Sequence, residues 1–255
     1  MPQLPRILLF ALTVLSVSCC TVFAAERPLR VFVLAGQSNM VGKRSKARDL
    51  PAELRGAQSD ALFFSGGEWV ALEPGVTEKR GFGPELSFAA RVVERLGGPI
   101  GIVKLSEGGT NLAEDWAPNR PGSLYEKLAA LVTAAGRGRS IEVVGMVWMQ
   151  GGADEKRPKF ARAYKQNFER FIARARADFG NPDMLVVCGR SASPASKYPN
   201  VDRVREAQES IGLPGYAWVD CDAIHMGKDG VHYSTQGQVQ SGHLFADAML
   251  GLLKK

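Results

Sequence analysis

Short apolar runs alternate with longer amphipathic segments along most of the chain. The runs are rich in Val, Ile and aromatic residues and are bounded by Gly or Pro, a pattern typical of β-strands. The predicted strands are RVFVLA (30–35), ALFF (61–64), IGIVKL (100–105), VVGMVWM (143–149), DMLVVCG (183–189) and YAWVD (216–220). The predicted helices between and after them are PELSFAARVVERLG (84–97), SLYEKLAALVTAAG (123–136), KFARAYKQNFERFIARARADFG (159–180), NVDRVREAQESIG (200–212) and STQGQVQSGHLFADAMLGLLKK (234–255).

This alternation predicts an α/β fold with helices on both faces of a parallel sheet, because a parallel strand connection needs an intervening element. Ligands of such sheets bind at the carboxyl ends of the strands. Functional residues are therefore expected in the loops that follow the predicted strands. No boundary divides residues 25–255, which are predicted to form one domain.

The composition is that of one ordinary globular domain. The chain has 255 residues, of which 45% are hydrophobic and 23% are charged, enough to bury a core. The formal net charge of +6 permits weak attraction to acidic polymers. The aromatic residues are not interleaved with the basic ones, so nucleic acid is not an expected partner.

The N-terminal segment differs from the rest of the chain. Arg6 precedes the apolar run ILLFALTVLSVSCC, and TVFAA then supplies small residues at the spacing of a signal-peptidase site. Residues 1–24 are predicted to be a secretory signal cleaved after Ala24 or Ala25, which makes the mature protein secreted or periplasmic. The apolar run 7–17 is about half of the roughly 20 residues that a membrane span needs, so none is predicted.

The cysteines leave two alternatives open. Cys19 or Cys20 could carry a lipid anchor, which is the less favoured fate of the N-terminal segment. Beyond that segment only Cys188 and Cys221 remain, each at the end of a predicted strand. An exported chain permits a disulfide, but two separately buried thiols are the simpler expectation.

The segment VLAGQSNMVGKRS (33–45) leaves the first predicted strand and enters a loop that is similar to two known turns. A phosphate-binding loop needs G-x-x-x-x-G-K-[ST], but five residues separate Gly36 from Gly42, and Lys43 is followed by arginine. A nucleophile elbow needs G-x-S-x-G, and Met40 occupies the second glycine position. Ser38 nevertheless lies at the end of a strand, where a side chain can reach a ligand.

A serine nucleophile needs an imidazole to take its proton and an acid to orient that imidazole. Asp229 and His232 stand three residues apart just before the last helix and match this requirement for Ser38. His243 is expected to be a packed or surface residue of that helix. For His225, a place in the pocket lining and no functional role are equally expected. The histidine spacings match no familiar zinc site, so no metal is predicted.

Acyl transfer also needs hydrogen-bond donors for the oxyanion that develops on the carbonyl. Two loops after predicted strands offer them, KLSEGGTNLAEDW and VWMQGGADE. Gly109 can bring its N–H close to a ligand because it has no side chain, and Gln150 carries an amide NH₂. Taken alone, Gly109 is explained by an ordinary glycine turn, and Gln150 is explained as a polar residue at the end of a strand.

The segments GQSNM, EGGTN, WMQGGAD and DGVH together resemble the blocks of the SGNH hydrolase superfamily. The branch they resemble contains sialate O-acetylesterase-like proteins and the acetylxylan esterases of carbohydrate esterase family six. The resemblance extends over residues 29–250. It implies a three-layer α/β/α sandwich with a flavodoxin-like parallel sheet, and removal of O-acetyl groups from sugars without metal or cofactor.

The resemblance also implies residue roles. Ser38 would be the nucleophile, His232 the general base and then acid, and Asp229 its orienting partner. The N–H groups of Ser38 and Gly109 and the amide of Gln150 would form the oxyanion hole.

One position departs from the branch, which usually has glutamate where this chain has Gly152, while Asp154 still matches. This departure puts the polar lining of the pocket, and with it the substrate, in question.

The expected substrate is an acetylated carbohydrate. The residues predicted to bind it are Gln37, Asn39, Asn111, Trp116 and His225. Trp116 is expected to be an aromatic platform within a polar rim that also includes Glu114 and Asp115. Two alternatives remain, an SGNH esterase that acts on lipid or aryl esters and a carbohydrate-binding protein of the same fold without catalysis.

Overall fold

The structure, a computed structural model, describes residues 27–77 and 81–254. The predicted signal, residues 1–24, lies outside them. The strands are β1 (Leu29–Gly36), β2 (Gln58–Ser65), β3 (Glu68–Leu72), β4 (Ile100–Ser106), β5 (Ile141–Met149), β6 (Leu185–Gly189) and β7 (Tyr216–Val219). The helices are α1 (Ser38–Val41), α2 (Glu85–Leu96), α3 (Leu124–Ala135), α4 (Gly152–Glu155), α5 (Pro158–Asp178), α6 (Val201–Glu209) and α7 (Thr235–Leu253).

The described strands form one sheet in the order β3-β2-β4-β1-β5-β6-β7. All neighbouring pairs are parallel except β2 and β3, which are antiparallel. Without the β2–β3 hairpin, the five remaining strands have the flavodoxin order, in which the first strand of the chain lies between the second and the third. The predicted flavodoxin-like parallel sheet is confirmed.

Helices cover both faces of the sheet, and each face buries its own core. Helices α3, α5 and α6 pack on one face, and α2 and α7 pack on the other. Trp148 of β5 contacts Phe168 and Phe171 of α5, with ring centroids 6.0 and 4.7 Å apart. β1 is buried along almost its whole length, which explains why its sequence is continuously apolar. The predicted three-layer sandwich is confirmed.

Strand β3 is the main element that the hydrophobic pattern did not predict. It is joined to β2 by Gly66 and Gly67, both with positive φ, as in the two-residue hairpin turns that glycine favours. β3 is an edge strand with exposed residues, so its pattern is weaker than that of the central strands. Two glycines between β-prone segments were the signal that could have found it.

Two further predictions concern cysteines and membranes. Cys188 and Cys221 are free and buried, and burial raises the pKa of each thiol to about 12. The simpler expectation of two separate thiols therefore holds.

Within residues 27–77 and 81–254, the structure has no helix of the length and apolarity that a membrane span requires.

Candidate active site

The ends of three central strands are level with one another. Gly36 at the end of β1 pairs with Ser106 of β4 and with Met149 of β5. The loops after β1, β4 and β5 therefore leave the sheet side by side, as parallel strands require. These three loops carry the GQSN, EGGTN and QGGAD segments.

Ser38 is the first residue of α1 and is 8% exposed. The turn that holds it begins at Gln37, whose N–H donates to the carbonyl of Met149 at 2.9 Å. Because Ser38 opens the helix, its own N–H has no carbonyl of a preceding turn to bind. Both the hydroxyl and this N–H therefore lie at the carboxyl ends of the central strands.

Asp229 and His232 form a hydrogen-bonded pair within one turn. The Nδ1 of His232 lies 2.8 Å from Oδ2 of Asp229. The N–H groups of Val231 and His232 donate to Oδ1 at 3.0 and 2.9 Å. These hydrogen bonds, with that of the His232 side chain the largest, hold the pKa of Asp229 well below its usual range. The ionised carboxylate fixes Nδ1 as the donor, so neutral His232 has its acceptor at Nε2.

Asn39 joins the serine turn to the histidine turn. Its Nδ2 donates to the carbonyl of Val231 at 3.2 Å, and its Oδ1 accepts the N–H of Tyr233 at 3.0 Å. Gln238 of α7 donates to the Asn39 carbonyl at 3.0 Å. Asn39 thus aligns two segments almost 200 residues apart in the chain, and the prediction that it binds substrate stays a prediction.

A cavity of about 260 Å³ brings half of the predicted site residues together. Ser38 and His232 both line it, as do Gly109, Gln37 and Asn111. The other lining residues are Lys43, Gly152, Ala153, Lys156, Arg157 and Tyr198.

The β4 loop carries two hydrogen-bond donors, Gly109 and Asn111, at the cavity that Ser38 lines. Gly109 has a φ of 80°, which glycine adopts without strain. A methyl group added to the neighbouring Gly108 would stand 3.7 Å from the Cβ of Ser38, so this loop passes close to the serine. The Nδ2 of Asn111 donates one hydrogen to Asp115 at 2.5 Å, and this nitrogen carries a second hydrogen.

The structure corrects the prediction for Gln150. Its Nε2 donates to the carbonyl of Thr110 at 3.0 Å and to Oδ2 of Asp154 at 2.6 Å, which uses both amide hydrogens. Gln150 is 3% exposed and is not part of the cavity lining. The amide therefore binds the β4 loop and Asp154, and it has no hydrogen left to donate to an oxyanion.

Asp154 is the buried anchor of this arrangement. Its Oδ2 accepts the N–H of Leu112 at 2.8 Å in addition to the amide of Gln150. Burial raises the pKa of Asp154 to about 6, against the opposing effect of these hydrogen bonds. One carboxyl group thus ties α4 to the loop that carries Gly109 and Asn111.

Two other predicted binding residues lie elsewhere. Trp116 is fully buried, packs on Trp148 with ring centroids 5.1 Å apart, and donates from Nε1 to Thr110 at 3.0 Å. It is a core residue and cannot be a sugar platform. The Nδ1 of His225 lies 2.7 Å from the Ser234 hydroxyl, and His225 lines a separate groove of about 1050 Å³.

Tyr198 is an aromatic residue of the cavity that sequence reasoning missed. It lies in the loop between β6 and α6, at the same edge of the sheet as the other site loops. Its position after a predicted strand was the available signal. A Cβ added at Gly152 would stand 3.2 Å from the Tyr198 ring and 3.0 Å from Nε2 of Gln37. The glycine therefore leaves open the space between these two side chains.

Cations border the cavity. Lys43, Lys156 and Arg157 are all exposed lining residues, and the lining includes neither aspartate nor glutamate. The Nζ of Lys156 lies 5.2 Å from the centre of the Tyr198 ring. In residues 27–77 and 81–254, no group of three or more His, Cys, Asp or Glu side chains is arranged to hold a metal ion.

Comparison with known proteins identifies the family and the fold of the chain. A family model described as carbohydrate esterase, sialic acid-specific acetylesterase, matches residues 28–251. The probable carbohydrate esterase At4g34215 of Arabidopsis thaliana is 30% identical over 243 residues, which cover 88% of this chain and 91% of that protein. The X-ray structure of that Arabidopsis protein superposes with a TM-score of 0.77 at 29% identity, covering 88% of this chain and 99% of that one.

Two more distant structures share the fold. NanS has a TM-score of 0.71 at 16% identity and covers 89% of this chain and 98% of its own. XAC1771, a carbohydrate acetylesterase from Xanthomonas citri, has a TM-score of 0.69 at 20% identity and covers 88% of this chain and 56% of its own.

The chain belongs to the sialic acid-specific acetylesterase family of carbohydrate esterases. The family predicted from the four sequence segments is confirmed. Membership supports a function of the carbohydrate acetylesterase type.

The corrected geometry predicts different defects for the two amides. If Asn111 takes the place of Gln150 as the side-chain donor to the oxyanion, Asn111→Ala should lower kcat on an acetyl ester by about 10²- to 10³-fold. Gln150→Leu should lower the free energy of unfolding by about 2–4 kcal/mol, because it leaves Thr110 and Asp154 without their buried donor, with kcat of the folded protein changed less than about tenfold. Steady-state kinetics and urea unfolding of both variants measure this. A hundredfold loss of kcat in Gln150→Leu at unchanged stability, with Asn111→Ala active, would restore the original assignment.

Proposed function

We propose that this protein is a serine esterase that removes O-acetyl groups from carbohydrates through an acyl-enzyme on Ser38. The observation that carries the proposal is that Ser38 and His232, from opposite ends of the chain, line one cavity. The imidazole is held from behind by Asp229 at 2.8 Å, so Nε2 is the nitrogen available to the serine.

The first half-reaction forms the acyl-enzyme. The Ser38 oxygen attacks the acetyl carbonyl while Nε2 of His232 takes the hydroxyl proton, and Asp229 stabilises the resulting imidazolium. The oxyanion accepts hydrogen bonds from the N–H groups of Ser38 and Gly109 and from the amide of Asn111. Collapse breaks the bond to the sugar oxygen, which leaves with the proton from His232.

The second half-reaction regenerates the serine. Water attacks the acetyl group on Ser38 while His232 takes a proton from it, and the same donors stabilise the second oxyanion. Acetate is released, and the proton on His232 returns to the serine oxygen. The low pKa of Asp229 keeps its carboxylate charged through both steps.

The sugar is proposed to carry a carboxylate. Lys43, Lys156 and Arg157 border the cavity without an acid among the lining residues, which favours a negatively charged substrate. The family description names sialic acid, a carboxylate-bearing sugar. A lipid or aryl ester fits less well, because the mouth is polar and charged. We also propose that residues 1–24 direct export, so that the substrate is met outside the cytoplasm.

Removal of the nucleophile or the base should abolish turnover. Ser38→Ala and His232→Ala should each lower kcat on p-nitrophenyl acetate by about 10³-fold or more, and the double variant should be little worse, because the two residues act as one unit. Circular dichroism controls for folding, and EDTA should leave wild-type activity unchanged. Ser38→Ala with more than about a tenth of wild-type activity would refute the mechanism. A folded wild-type protein inactive on every ester tested would favour a binding protein of the same fold.

The cationic border predicts a selective effect of charge removal. Lys156→Gln and Arg157→Gln should each raise KM for an acetylated sialic acid by about three- to tenfold, because each removes a charge beside the carboxylate. KM for a neutral acetylated xylo-oligosaccharide should change less than about twofold. Lys159→Gln is the matched control, since Lys159 is exposed on α5 and does not line the cavity. Equal changes for the charged and neutral sugars would contradict the proposed substrate charge.

A further inference from the structure

Arg44 has an unusual backbone conformation for its residue type. It is the one non-glycine residue with positive φ, at 80°, in the described ranges 27–77 and 81–254. Left-handed φ is strained for a side chain with a Cβ, and such strain concentrates where function uses it. The residue lies three positions beyond the end of α1, the helix that begins with Ser38.

A tight turn fixes this conformation. The N–H of Ser45 donates to the carbonyl of Gly42 at 3.1 Å, which places Arg44 at the third position, where glycine or asparagine is favoured. Ser45 is buried, and its hydroxyl also donates to the carbonyl of Phe82 at 2.6 Å. The backbone on both sides of Arg44 is thus held by neighbouring structure.

The strained turn directs the Arg44 side chain to the acid of the candidate active site. Its Nε lies 3.4 Å from Oδ2 of Asp229, the same oxygen that accepts the hydrogen bond of His232. Lys197 of the loop between β6 and α6 donates from Nζ to the Asp229 carbonyl at 3.0 Å. Two cations from different loops therefore hold the acid turn in place.

We propose that Arg44 is a positioning residue of the reaction, which holds the Asp229 carboxylate against His232 and favours the neutral, proton-accepting form of the imidazole. This inference rests on the proposed function. A cation beside the hydrogen-bonded Asp229 and His232 pair disfavours a positive charge on the ring.

Other charged groups also act on Asp229 and His232, and they remain in place when the Arg44 charge is removed. Around Asp229 these are His232 and Lys197, together with Lys46, Asp49, His225 and Lys228 of the groove that Arg44 and Asp229 line. Around the His232 side of the cavity they are Lys43, Lys156, Arg157 and Tyr198. Arg44 differs from the cavity cations because it contacts the carboxylate itself. Its side chain is 66% exposed, so the effect should be modest and should weaken in high salt.

The test separates charge from backbone strain with three variants. Arg44→Gln removes the charge, Arg44→Gly removes the charge and the strain, and Arg44→Lys keeps the charge. The pH profile of kcat/KM is measured on p-nitrophenyl acetate, a neutral ester. The acidic limb of this profile should move to higher pH by about 0.3 to 0.7 units in the Gln and Gly variants. It should stay within about 0.2 units of wild type in the Lys variant. Arg44→Gly should also raise Tm by about 2–4 °C, because glycine relieves the strained φ.

Arg48→Gln is the matched control, because Arg48 is an exposed arginine nearby that pairs with Asp49 at 3.6 Å. A shift in this variant as large as in Arg44→Gln would show a general charge effect and overturn the proposal. An unchanged limb in Arg44→Gln and Arg44→Gly would overturn it as well, even if Tm rises. An NMR titration of the His232 ring reads the same shift without turnover. Loss of the NMR shift rejects the role of Arg44, whereas activity in Ser38→Ala rejects the proposed function, so the two failures are distinguishable.

Discussion

The level pairing of β4, β1 and β5 is the constraint on which the candidate site depends. Because Gly36 lies opposite both Ser106 and Met149, three loops leave the sheet at the same height. A change of register by one residue on either side of β1 would separate the serine from its oxyanion donors and reverse which face each side chain points to. Between β1 and β5 this level is reached through a register shift at Val31 and Phe32, where β5 has one extra residue.

Buried polar contacts then convert loop proximity into a defined geometry. Asp154 holds the β4 loop from below through Leu112 and Gln150. Asn39 holds the histidine turn to the serine turn. Neither side chain needs to touch the reacting atoms, since each acts by removing freedom from groups that do. The exposed mouth, by contrast, carries cations, and these are suited to selecting the substrate.

The sequence was informative where function requires a short, local pattern. Asp229 and His232 are three residues apart, so one turn suffices to predict their contact. Strand–helix alternation likewise predicted the layers. Sequence failed where the outcome depends on the direction of a side chain. Trp116 and Gln150 lie in the correct loops, but tertiary packing turns the ring into the core and the amide beneath the loop. No one-dimensional pattern carries that direction.

The central claim is that Ser38 is the nucleophile. Treatment with a fluorophosphonate, which transfers its phosphonyl group to the oxygen of an activated serine with loss of fluoride, tests this most directly. Peptide mapping by mass spectrometry should find one adduct, on Ser38, that accumulates in proportion to the loss of esterase activity and is absent from His232→Ala. Complete loss of activity with the adduct on another residue, or full labelling of Ser38 with activity retained, would contradict the account.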